Sequence, residues 1–129
     1  MLYLKYYHMP VSIGSKQYFT GSVTTAVETE VTVIELIRNT TEEEFVAEGY
    51  IDLSAIASGD SLVVSEYIDP NGTGYRLYTS VPLTYPLDAP LIWFHSKIIG
   101  NKYKVTVKQL TGRSITIPYW FWKLVYSTV

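Results

Sequence analysis

The sequence predicts an all-β protein: a single antiparallel β-sandwich, jelly-roll-like, of about seven to eight strands with an N-terminal arm. Three observations carry this expectation. Thr, Val and Ile supply 38 of 129 residues, and side chains branched at Cβ favour a pleated, half-buried surface over a helix. Runs of alternating polarity are separated by Gly, Pro, Asn and Asp roughly every ten residues, the spacing of a sandwich or small barrel. No segment sustains a helical repeat of roughly 3.6 residues.

Taken in order, residues 1–20 read as an arm or edge strand, Tyr-rich at first and then broken by Pro10 and Gly14, with residues 21–129 forming the sandwich. Val23 to Ile37 reads as one long strand whose phase changes near Val33-Ile34, as a bulge would require. Asn39 to Glu44 is a polar loop, and a strand follows over Phe45 to Leu53. Ser54 to Ala57, closed by Gly59-Asp60, is expected to form one helical turn. Leu62 to Ile68 alternates, and Asp69-Pro-Asn-Gly-Thr-Gly74 supplies a hairpin turn into Tyr75 to Val81. Pro82, Pro86 and Pro90 confine residues 82–90 to a connecting loop or an edge. Leu91 to His95 is a short strand, and Tyr103 to Leu110 alternates cleanly. Thr111-Gly-Arg113 turns the chain into a last strand, Ser114 to Tyr126, interrupted by Pro118.

Length and composition bound the function classes. A chain of 129 residues fits one domain. Charged residues are 17% and hydrophobic ones 47% of the chain, with 19 aromatics and a net charge of −2, which excludes disorder. No run reaches the roughly 18 apolar residues of a membrane span. Met1 to Met9 lacks the pattern of a secretory signal, so the chain is expected to be soluble as synthesised. The absence of cysteine removes disulfide frameworks and thiolate sites. Charge is divided unevenly: residues 1–64 carry three bases against nine acids (−6), and residues 65–129 seven bases against three acids (+4). This gives opposed surface patches if the halves separate in space, and cancels if the fold interleaves them.

No catalytic pattern emerges. His8 and His95 have no partner at zinc spacing and read as structural residues. Nucleophile-elbow and phosphate-loop patterns are missing. Asp52 and Asp60 flank the expected turn, where a carboxylate commonly accepts backbone N–H bonds. Asp69-x-Asn71-x-Thr73 lacks the later acid that closes a calcium loop. Asn39-Thr-Thr and Asn71-Gly-Thr match the N-glycosylation acceptor pattern, which makes Asn39 and Asn71 candidate modification sites. A basic tract from Lys97 to Lys123 carries aromatics, but the pI of about 5.6 argues against nucleic acid as a partner.

Pro118-Tyr-Trp-Phe-Trp122 is the most unusual string. In a strand, Tyr119 and Phe121 face one way and Trp120 and Trp122 the other, so one pair enters the core and the other needs a cover. That cover is the arm, a second sheet, a sugar or another subunit.

Ile51-Asp-Leu-Ser54 with Gly59-Asp60, Tyr75-Arg-Leu-Tyr78, the proline-bearing connection to Leu91, and Tyr103 to Ser114 leading into an aromatic strand form a pattern over roughly the last 80 residues. In it the sequence resembles small all-β structural proteins of archaeal viruses and bacteriophages. The resemblance implies a non-enzymatic sandwich or jelly-roll subunit of a virion shell, decoration or fibre, and carries no functional residues across. The expected function is therefore a virion structural protein that self-assembles through an aromatic arm and face. Its candidate interface residues are Tyr3, Tyr6, Tyr7, Trp93, Tyr119, Trp120 and Trp122. The expected partners are copies of itself and other virion proteins, with no cofactor, metal or membrane span. The alternative is a carbohydrate-binding sandwich in which Trp93, Tyr119, Trp120 or Trp122 forms a platform for a glycan.

Overall fold

The computed structural model describes residues 11–40 and 43–128. Eight antiparallel strands occupy these residues: β1 Val11–Thr24, β2 Glu30–Ile37, β3 Phe45–Asp52, β4 Ser61–Asp69, β5 Arg76–Thr84, β6 Leu91–Ile99, β7 Lys102–Thr111 and β8 Thr116–Thr128. They form two four-stranded sheets, in the order β1-β8-β3-β6 and β2-β7-β4-β5. Successive strands mostly alternate between sheets, the wiring of a jelly roll. The sandwich and strand number expected from the sequence are those found.

Period-two alternation builds the core. Along β3, Phe45, Ala47, Gly49 and Ile51 are buried while their neighbours are partly exposed. Along β8, Ile117, Phe121 and Val125 point inward, and Val105, Val107 and Tyr103 of β7 meet them from the other sheet's side of the core. Gly49 is required by contact, because a Cβ there would run into the Phe121 ring and the Trp120 carbonyl oxygen. Burial of an aromatic such as Phe121 contributes about 2–3 kcal/mol, so these few rings dominate the stabilisation of the sandwich.

The structure corrects several local expectations. The long strand from Val23 to Ile37 is two strands. The chain crosses between sheets over 25–29, where Thr25 donates its N–H to the Ile115 carbonyl at 2.9 Å, Thr29 N–H bonds the Ala26 carbonyl at 3.1 Å, and Glu28 adopts φ 60°. A residue in the left-handed region commonly announces itself as glycine; Glu28 does not, so the break is silent in sequence. The bulge expected near Val33-Ile34 is present as a register shift between Thr32 and Ile34 against β7. The expected helical turn after Leu53 is instead a pair of tight turns, closed by Ile56 N–H to Leu53 O at 3.0 Å and Asp60 N–H to Ala57 O at 3.0 Å.

Asp52 and Asp60 serve these turns. Asp52 accepts from Ser54 N–H at 2.9 Å, and Asp60 from Ala57 N–H at 2.9 Å and Arg113 N–H at 3.0 Å. The hairpin after Asp69 forms as expected, with the Asp69 carboxylate accepting from Gly72 N–H at 2.7 Å and Asn101 Nδ2 at 2.9 Å. Pro82 lies inside β5, tolerated because β5 is an edge strand. Strand β6 runs past His95 to Ile99, and β8 passes through Pro118 without a break. Pairing of β8 with β3 ends at Tyr119 opposite Ile51, so the missing Pro118 N–H falls just beyond that ladder. The two charge-biased halves interleave: Glu30 stands opposite Lys108 and Glu35 opposite Lys104 across β2 and β7. The opposed patches therefore cancel locally.

Candidate functional site

The outer face of the β1-β8-β3-β6 sheet carries a continuous aromatic band. Register places Tyr18 beside Trp122, Trp120 between Thr20 and Tyr50, and Tyr50 beside Trp93. The rings touch in sequence across the sheet. Tyr18 and Trp122 have centroids 5.0 Å apart, Tyr50 meets Trp122 edge-on at 6.1 Å, Tyr50 stacks with Trp93 at 6.4 Å and 21°, and Trp93 lies 4.4 Å from His95. Such offset and edge-on arrangements add attraction beyond the area they cover. Yet Tyr18 remains 53% and Trp93 48% exposed, so the band covers itself only in part.

Polar groups frame the band. Glu48 of β3 accepts from Ser96 Oγ at 2.7 Å, and Lys16, Glu48, Tyr50, Trp122 and Leu124 line a shallow depression of about 370 Å³. Of the residues singled out in the sequence, Trp93, Trp120 and Trp122 share this face. Tyr119 points to the opposite side of β8, against Phe121 at 6.2 Å. Tyr3, Tyr6, Tyr7 and His8 lie outside the described residues. His95, read from the sequence as a structural residue, and Tyr18 and Tyr50, which were not singled out, complete the band; their strands show the right alternation, but strand order, which sequence does not supply, makes them neighbours.

A second feature lies where the two sheets part. Edge strands β5 and β6 flank a cleft of about 650 Å³ lined by Val64, Val81, Leu83, Ile92 and Phe94, with Tyr78 at its rim. At its floor Glu66, 6% exposed, accepts from Tyr103 Oη at 2.5 Å and pairs with Lys97 Nζ at 2.8 Å. Lys97 also sits 5.6 Å from the Tyr78 and Tyr103 ring centres. Burial, reinforced by the Glu66 carboxylate, holds the Tyr103 hydroxyl well above the ordinary tyrosine range. On the core face of β8, Lys123 bonds the Ile37 carbonyl and Asn39 Oδ1; burial pushes its ammonium below the usual lysine range, with Glu43 opposing.

Neither feature assembles a nucleophile, a base and an orienting partner. Among the described residues no group of three or more His, Asp or Glu stands close enough to hold a metal ion. Asn39 and Asn71 are exposed, and their side-chain oxygens bond Lys123 and the Thr73 hydroxyl respectively.

No protein-family profile and no curated protein matches this sequence. Solved structures do match in fold. The chain is similar to a protein in the structure of the infectious bursal disease virus Gx strain, with a TM-score of 0.51, 11% identity, and 91% of this chain covered against 33% of that one. It is similar also to VP2 of an infectious bursal disease virus subviral particle, with a TM-score of 0.50 and 12% identity over 91% of this chain and 34% of that one. The chain thus spans about a third of the length of these virus proteins. At such identities the likeness is one of fold: this all-β sandwich is built like a part of virus-particle proteins. A match to Bacillus endospore appendages has a TM-score of 0.42 and 13% identity, covering 92% of this chain and 94% of that one.

Proposed function

We propose that the chain is a non-enzymatic structural subunit of a virus particle, acting by association with copies of itself through the aromatic band and the arm. The observation that supports this most is the band: a rigid sheet face presents Tyr18, Trp122, Tyr50 and Trp93 as one connected row, half of it open to solvent. Exposed Tyr and Trp in a row on an ordered element suit a protein partner, since aromatics supply anchor area with little entropy to lose. The fold likeness to virus-particle proteins agrees with that direction. Residues 1–10, with Tyr3, Tyr6 and Tyr7, extend the same chemistry ahead of β1.

The test is light scattering of the purified full chain against Trp93→Lys and against a chain lacking residues 1–10. Assembly that weakens in either variant, with unchanged circular dichroism, is the expected outcome. A wild-type chain that stays monomeric at about 100 µM, far above the Kd of a stable interface, counts against the reading.

A carbohydrate platform is the second reading, supported by the near-parallel Tyr50 and Trp93 rings and by the depression that Tyr50 and Trp122 line together with Lys16 and Glu48. It requires a monomer that binds glycans on an array and loses them in Trp93→Ala and Trp122→Ala.

A further inference from the structure

Every edge of a sandwich offers unpaired backbone groups, and folded proteins guard such edges with prolines, bulges or inward-turned charges. Three of the four edges here are guarded. β5 carries Pro82 and a register shift that leaves Tyr78 unmatched. β6 is bulged between Phe94 and Lys97, and turns Lys97 inward to Glu66. β2 is bulged at Val33 and bears Glu30 and Glu35.

The fourth edge, β1, differs. Its single register shift lies at its start, between Ile13 and Ser15, and from Ser15 to Thr24 it pairs with β8 without interruption. Lys16 is the only charged residue in that stretch, and there is no proline. Among the described residues no strand pairs with its outer side.

The direction of its free groups follows from one bond. Thr25 donates its N–H to Ile115 O at 2.9 Å. In an antiparallel ladder, residues alternate between facing the partner strand and facing away. Carried back along the unbroken register, this aims the N–H and C=O of Phe19, Gly21 and Val23 at β8, and those of Lys16, Tyr18, Thr20 and Ser22 outward. Water satisfies such groups one by one, whereas a strand of like spacing pairs with the whole row, and an antiparallel copy of β1 is its own complement.

We infer that β1 is a two-fold edge-to-edge interface, pairing antiparallel with β1 of a second copy about Phe19. Outward residues then face one another, Lys16 opposite the second copy's Ser22 and Tyr18 opposite its Thr20. Phe19, half-buried at the sheet margin where it packs only partly on the core, meets the second copy's Phe19 at a non-hydrogen-bonded site, where side chains approach closest. Two four-stranded sheets become one of eight, and the aromatic bands of the two copies join through Tyr18. This deepens the self-assembly reading and rests on it.

The test uses the full chain in sedimentation velocity. Thr20→Pro removes an outward N–H and leaves the β8 ladder intact; losing one ordinary hydrogen bond from each copy is expected to raise the dimer dissociation constant about thirtyfold. Thr20→Lys, an exposed substitution that does not threaten folding, is expected to weaken the dimer in the same direction. The chain has no native cysteine, so mild oxidation of Phe19→Cys should give a disulfide-linked dimer, the facing Cα atoms being about 4.5 Å apart. Val23→Cys, on the same strand face but far from its counterpart, should not. Association that persists in Thr20→Pro and Thr20→Lys but fails in Trp93→Lys overturns the edge interface while leaving the band reading intact. A wild-type monomer overturns both. Amides of Tyr18, Thr20 and Ser22 protected from exchange at every protein concentration also overturn it, since the edge is then covered within one chain.

Discussion

Removal of Lys97 while Glu66 remains is the sharpest test of how the cleft floor is held. Glu66 is 6% exposed and its Oε1 takes both the Tyr103 hydroxyl and the Lys97 ammonium. Lys97→Met leaves a buried carboxylate with one neutral donor; breaking a buried pair from one side typically costs about 3–5 kcal/mol, and the surviving Tyr103 bond places this case near 3. Glu66→Gln retains an acceptor for Tyr103 and leaves the Lys97 ammonium its bond to the His95 carbonyl at 2.6 Å, at about 1–2 kcal/mol. The double variant buries no charge and keeps the Tyr103 bond, so it is expected within about 1 kcal/mol of wild type. The coupling is then about 3 kcal/mol in favour of the pair, and Lys97→Met alone should lower Tm by roughly 10 °C for a domain of this size. Urea unfolding followed by tryptophan fluorescence, with equal m values across the four proteins, measures each corner of the cycle. If the single losses simply add in the double variant, or if Lys97→Met costs under about 1 kcal/mol, the carboxylate is not held by the pair and the argument fails.

Other expectations follow from the same geometry. Gly49→Ala should destabilise by about 2–3 kcal/mol in thermal unfolding, because its Cβ overlaps the Phe121 ring and the rigid Trp120 carbonyl; an unchanged Tm would show that β3 and β8 can part freely. Tyr103 titrates above the ordinary tyrosine value of 10.0 in the fold, so its contribution is complete below pH 10 and falls as pH rises beyond it; Tyr103→Phe should flatten that alkaline decline in pH-dependent unfolding. Glu30 is held below the ordinary glutamate value of 4.5 by hydrogen bonds from Tyr67 and then Thr106. Its contribution is present above pH 4.5 and lost as pH falls through the lower folded value. Being exposed it is small, so Glu30→Gln should change stability by under about 1 kcal/mol at pH 7 and shrink the acid-side loss.

Much of the fold was legible because period-two alternation and turn residues are local signals. The Val33 bulge showed as a phase change, the Asp69 hairpin as turn chemistry, and the split faces of Tyr119/Phe121 and Trp120/Trp122 as strand parity. The break at Thr25–Thr29 was not legible, since it rests on Glu28 in the left-handed region and on Thr25 bonding to Ile115 and Gln109, residues more than 80 positions away. The turns after Leu53 resembled a helix start because Asp and Ser cap both kinds of structure.

The candidate sites divide in the same way. Sequence alone determined that aromatics exceed what one core face can take, that the strands are two-faced, and that no cysteine or metal-spaced histidine is available. Only the tertiary structure decided which aromatics meet, because the order β1-β8-β3-β6 brings Tyr18, Trp122, Tyr50 and Trp93 from four distant segments into one row. It decided equally that Glu30 and Glu35 of the acidic half stand opposite Lys108 and Lys104 of the basic half across β2 and β7, and that among the described residues no strand pairs with the outer side of β1. Side-chain alternation is written into each strand; adjacency between strands depends on long-range pairing, which no local pattern encodes.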